Sequence, residues 1–207
     1  MRKIFVLIGA FIKKQKEIIV PSATLLIICI VATVLLGFTN FFTADIITKL
    51  ETETQNTAMQ EVLPAEGYTK TEGKEIYTAE KNGAVAGYIL ITTAKGYGGD
   101  IKVMTAVDPT GKILAVNILS ATDETPGLGQ NVTKEDFFSQ FKNLSGEISV
   151  VKNGANSADN EINAVTGATI SSKAVTKAVN EALALYSENF GQSAMATSAG
   201  QEGTENE

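Results

Sequence analysis

The sequence predicts an α+β protein: a single N-terminal transmembrane helix followed by an extracytoplasmic domain with an antiparallel sheet and flanking helices. Three observations predict it. An uncharged apolar run covers residues 18–42. Strand-like runs separated by tight-turn signals fill the middle of the chain. One amphipathic helical pattern follows residue 169. The predicted segments are 1–17, cytoplasmic; 18–42, the span; 43–64, a stalk; 65–190, the folded domain; and 191–207, a disordered tail.

The run at 18–42 has the roughly 20 apolar residues that a bilayer-spanning helix needs. Pro21 is expected near its start, where a missing N–H costs little. Arg2, Lys3, Lys13, Lys14 and Lys16 precede the run, and the nearest cation after it is Lys49. The positive-inside rule then places the N-terminus in the cytoplasm and the rest of the chain outside. A cleaved secretory signal is the competing reading, but the run is long for a signal core and no clear small-x-small site follows it closely. A shorter apolar run at 4–12 is expected along the inner surface or against neighbouring membrane helices.

Residues 43–64 read as a helical stalk that Pro64 and Gly67 end. Strands are expected at 75–80 and 84–93, joined by the hairpin signal Lys81-Asn82-Gly83. A glycine-rich turn holding Tyr97 leads to a strand at 101–107. Asp108-Pro109-Thr110-Gly111 turns the chain into a returning strand at 112–119. Residues 120–129 carry too much Gly and Pro for regular structure. A helix is expected at 133–141 with Phe137, Phe138 and Phe141 on one side, then a short strand at 148–151. In the last helix Val175, Ala178, Val179, Ala182, Leu183 and Tyr186 fall on one face.

Composition excludes much chemistry. The 207 residues carry net charge -6 and no histidine, and they contain one cysteine. Ser-His-Asp catalysis, His-bound metals and cysteine-held clusters are therefore absent from this chain. No basic stripe suits nucleic acid. The stretch Thr166-Gly167-Ala168-Thr169-Ile170-Ser171-Ser172 opens the last helix. Its start suits an anion, because free N–H groups and the helix dipole favour negative charge there. Ser171 and Ser172 are each either helix caps or phosphate contacts.

Glu124-Thr125-Pro126-Gly127-Leu128-Gly129 and Thr166-Gly167-Ala168-Thr169, in that order behind a single span, resemble the covalent-FMN-binding domain family. The likeness covers nearly the whole chain, including the Tyr97-Gly98-Gly99 turn and the Asp-Pro-x-Gly hairpin. It implies FMN carried on Thr169 through a phosphoester bond. Thr166, Gly167, Ala168, Ser171, Ser172, Glu124, Thr125, Gly127, Leu128 and Tyr97 would then surround the cofactor. Gly127 and Gly129 would let backbone approach the ring, and Leu128 would offer apolar contact. Tyr97 either stacks on the ring or is an ordinary half-buried aromatic. Asn163 stands where the family has Asp, and Asp123 stands where it commonly has His. A Thr hydroxyl is a poor nucleophile unaided, and the resemblance supplies a separate Mg²⁺-dependent flavin transferase that uses FAD and releases AMP.

The function this implies is an electron-carrying subunit of an oxidoreductase and ion translocase in the cell membrane, not a stand-alone enzyme. It would couple electron transfer between ferredoxin and NAD to Na⁺ or H⁺ movement. Its partners would be subunits that carry flavin and iron–sulfur centres. The competing expectations are a membrane-anchored solute-binding or sensor module with a noncovalent ligand, and a relative that serves another extracytoplasmic reductase.

Overall fold

A computed structural model describes residues 2–199, with side chains for 20–44 and 46–191. The chain divides into two compact units, residues 1–53 and 54–207. Helix α1 runs Arg2–Val62 and contributes to both.

In the first unit, Val20–Ala44 is long and apolar enough to cross a membrane. Its threonine hydroxyls are satisfied within the helix, as a low-dielectric surrounding would demand. The hydroxyls of Thr24, Thr33, Thr39 and Thr43 each donate to the carbonyl four residues earlier, at 2.8–2.9 Å. Pro21 lies inside the helix, not at its start. The apolar pattern alone hid this, because the polar segment before it is helical too. Pro21 therefore costs the helix one backbone bond. The 4–12 run is part of the same helix, and the surroundings expected for it lie outside the described side chains.

The second unit is built on a five-stranded antiparallel meander, in the order β1 (Gly67–Lys70), β2 (Ile76–Lys81), β3 (Ala84–Lys95), β4 (Asp100–Val107) and β5 (Ile113–Ser120). Alternation sends Leu90, Val103, Val107 and Val116 to one face and Ile89, Met104 and Ala106 to the other. The end of α1 covers the second face with Ala58, Met59, Val62 and Leu63, one side of its last turns. Leu63 still donates to Met59, and Pro64 then forbids another turn. The helical stalk is thus partly a core element. At the β2–β3 hairpin Asn82 and Gly83 have φ of 54° and 73°, as a two-residue turn requires. Asp108 closes the β4–β5 turn by accepting from the Thr110 and Lys112 N–H groups at 2.8 and 3.0 Å.

The other face receives α3, Thr169–Ala199. All six residues of its expected face are buried. Thr92 anchors it by donating to the Ala178 carbonyl at 2.8 Å. The helix runs on past Gly191 through Ala199, where a disordered tail was expected; a single Gly does not stop it. Residues 200–207 lie outside the described ones.

The helix expected at 133–141 is instead broken: a 3₁₀ turn at Gly129–Thr133, the single turn α2 (Glu135–Phe138) and a second 3₁₀ turn at Ser139–Phe141. Lys134 is extended, which interrupts the ladder. The break lets Phe137 and Phe141 both enter the core, edge to face at 5.7 Å, while Phe138 is half-buried. The strand expected at 148–151 is β6 (Ser149–Val151). It pairs in parallel with β7 (Glu161–Asn163), which had no sequence signal. Phe141 is fully buried, so Phe141→Ala should destabilise the protein by about 3–5 kcal/mol, read from denaturant unfolding of the full chain in detergent.

Candidate functional site

Three segments meet at one end of α3: the β3–β4 turn, the loop after β5 and the 165–172 stretch. They enclose a cavity of about 490 Å³. That volume lies within the range of small-molecule sites. Tyr97, Glu124, Thr125, Leu128, Gly167, Ala168, Thr169 and Ser171 line it, together with Gly129 and Ile170. Eight of the sequence's candidates therefore share one cavity. Thr166, Gly127 and Ser172 do not line it.

Glu124 joins the three segments. It is 2% exposed. Its carboxylate accepts the Gly98 N–H at 3.0 Å and the Ser171 hydroxyl at 2.5 Å. Gly96 and Gly129 flank it, and a Cβ at either would overlap a carboxylate oxygen. Burial pushes the Glu124 carboxyl up. Hydrogen bonds from Ser171 and from the backbone of Gly98, Tyr97 and Gly99 outweigh this and hold it below its ordinary value.

The hydroxyls at the start of α3 divide sharply. Ser171 donates to Glu124. Ser172 accepts the Val165 N–H at 3.0 Å and donates to the Ala168 carbonyl at 2.9 Å. Neither is the expected N-cap, because the helix already begins at Thr169, and both hydroxyls donate to protein acceptors. Thr176 donates to the Ser172 carbonyl. Among the described residues the Thr169 hydroxyl alone of these four has no hydrogen bond, and it lines the cavity. The first backbone bond of the helix is Ser172 N–H to Ala168 at 2.9 Å. The N–H groups of Thr169, Ile170 and Ser171 thus precede the bonded ladder, as donors for an anion.

Each glycine has its own reason. Gly127 has φ of 73° with nothing near its missing side chain, so its lack of a Cβ serves the turn. Gly167 has φ of 79°, and Leu128 packs against the space a side chain would fill. Gly129 leaves room for Glu124. Tyr97 is 71% exposed, which removes the half-buried alternative and puts it on the rim with Leu128 and Ile170. Ile170 was missed. An exposed isoleucine beside the Thr-Gly-Ala-Thr stretch, off the core face of α3, was the available signal.

Thr166 opens instead on a neighbouring cleft of about 360 Å³ that it shares with Asn163. The Asn163 side-chain oxygen accepts the Ala155 N–H at 3.1 Å, and its backbone N–H donates to Gln140 at 2.8 Å. The one side-chain bond seen here uses only an oxygen acceptor, which Asn and Asp share. Asp123 is exposed, with its backbone and side chain against Gly98 and Gly99.

The direction of the Glu124 shift fixes a pH dependence. A carboxyl depressed in the folded state contributes stability above its unfolded value, about 4.3, and loses it as pH falls through the folded value. Melting temperature should therefore fall less steeply below about pH 4 in Glu124→Gln than in wild type, measured by circular dichroism.

Comparison with known proteins agrees with this geometry. A family model for the FMN-binding domain matches residues 96–184, which includes all three cavity segments. The G subunit of the proton-translocating ferredoxin:NAD(+) oxidoreductase complex of Clostridium ljungdahlii is 36% identical, over 83% of this chain and 92% of that one. The G subunit of the Na(+)-translocating complex of Acetobacterium woodii is 35% identical, over 78% of this chain and 88% of that one. Among solved structures, NqrC of Shewanella oneidensis has the same fold, with a TM-score of 0.51 over 66% of this chain and 73% of that one, at 21% identity. The chain therefore belongs to the family of G subunits of ion-translocating ferredoxin:NAD oxidoreductase complexes and carries that family's FMN-binding domain.

Proposed function

We propose that this chain relays electrons within such a complex through FMN esterified to Thr169. The observation that carries the reading is the free Thr169 hydroxyl, placed in a mononucleotide-sized cavity and beside unbonded N–H groups of a helix start. A phosphodiester there remains anionic, and the N–H groups of Ile170 and Ser171 suit it. Tyr97, Leu128 and Ile170 offer apolar surface to a planar ring. FMN supplies one- and two-electron chemistry that no side chain here provides.

Nothing within the cavity is built to activate Thr169. The chain has no histidine, and the Glu124 carboxylate is already engaged by Ser171. Attachment is therefore assigned to a separate flavin transferase that consumes FAD. The relatives are subunits of larger oxidoreductase complexes, which supports redox neighbours on other subunits, flavin and iron–sulfur centres by class. The apolar Val20–Ala44 segment and the cations before it support a cytoplasmic N-terminus and an FMN domain outside.

Denatured protein coexpressed with the transferase should fluoresce as a band under ultraviolet light. The peptide containing Thr169 should gain the mass of FMN less water. Thr169→Val should abolish both, and fluorescence that persists in the variant would overturn the attachment. An alkaline phosphatase fused after residue 191, which folds only outside the cytoplasm, should be active; an inactive fusion at normal abundance contradicts the orientation.

A further inference from the structure

We infer that Glu124 sets the redox potential of the flavin: its buried carboxylate is a fixed negative charge in the cavity wall that opposes further negative charge on the ring. The inference rests on the reading that FMN occupies this cavity.

The carboxylate is 2% exposed and lines the cavity. Its partners are neutral: one hydroxyl from Ser171 and backbone N–H groups of the 97–99 turn. Among the described residues no ion pair involves Glu124, and no Lys or Arg lines the cavity to offset it. Hydrogen bonds spread the charge without cancelling it.

The architecture does not need that charge. A glutamine could accept the Gly98 N–H through its oxygen and donate its amide to the Ser171 oxygen, filling the same space. A carboxylate makes stronger bonds, but a buried charge without a counter-ion also carries a desolvation cost. A neutral fastener would avoid that cost. What the charge adds is a field inside the cavity, where the effective dielectric is low.

The effect on the flavin has a definite sign. Full reduction adds two electrons. Where one proton follows, the reduced ring carries one negative charge more than the oxidised ring. A neighbouring anion disfavours that state and lowers the potential.

The test uses full-length protein, flavinylated by coexpression, purified in detergent and titrated with dithionite and mediator dyes. Glu124→Gln should raise the midpoint potential, with about a tenfold change in the oxidised-to-reduced ratio at fixed poise, ~30 mV for a two-electron couple. Ser171→Ala withdraws a donor, leaves the charge less spread and should lower the potential. A general disturbance of the loop would move both variants the same way. The offset should survive added salt, because a buried charge is weakly screened. Equal potentials in wild type and Glu124→Gln, or shifts of one sign in both variants, overturn the inference. If Glu124→Gln does not fold, Ser171→Ala decides: a potential at or above wild type overturns it. The mass of the Thr169 peptide separates the two readings. A loaded peptide with unshifted potentials removes the role of Glu124 and leaves the flavin; a wild-type peptide without FMN removes both.

Discussion

The site depends on one buried carboxylate. Among the described residues, Glu124 alone bonds both to the β3–β4 turn and to the start of α3 while belonging to the loop between them. The sheet and α3 would pack without it, since their contact is apolar along Val175, Ala178, Val179 and Ala182. The cavity would not keep its shape. Its walls are loops, and loops hold position only where something fixes them. Gly96 and Gly129 are the spatial signature of this arrangement, because a Cβ at either would strike the carboxylate. Gly98 serves the same end differently: a Cβ there would overlap the Asp123 backbone, so the turn and the loop run in close contact.

The elements legible in the sequence were those with local causes. The face of α3 follows from helical spacing, and the Asn82-Gly83 and Asp108-Pro109-Thr110-Gly111 turns from backbone preferences of those residues. What the sequence hid depends on distant partners. β1 and β7 are short strands whose pairing is set by β2 and β6, three or four residues being too few for alternation to register. The helix expected at 133–141 breaks because the core accepts Phe137 and Phe141 separately. At the site, the two motifs and Tyr97 could be assigned to one cavity through family resemblance. The inward turn of Ser171 could not, since its partner is 47 residues away.

The division among the hydroxyls of α3 bears on how one threonine would be singled out for the proposed attachment. Ser171, Ser172 and Thr176 each spend their hydroxyl on the fold. Thr169 is the first residue of the helix, where a side chain points back over the helix start and toward the cavity. Selectivity among the hydroxyls of α3 would then need no special activation of Thr169 by this chain. Along α3 it would need only that the competing hydroxyls be unavailable and buried, as those of Ser171 and Ser172 are.

The proposed covalent link would also resolve an apparent conflict in the cavity. Its rim is exposed: Tyr97 at 71%, Ile170 at 55% and Leu128 at 42%. A ligand held there by burial alone would keep much of its own surface in water and bind weakly, because affinity for small molecules comes mainly from enclosing them. Enclosing the ring more fully would improve retention but would also wall it off from redox partners on other subunits. The proposed phosphodiester to Thr169 would remove that trade. Retention would no longer depend on enclosure, so the rim could stay open for electron exchange. What the pocket would still have to provide is orientation and, on the inference above, a field, and both would trace to the loop that Glu124 fixes.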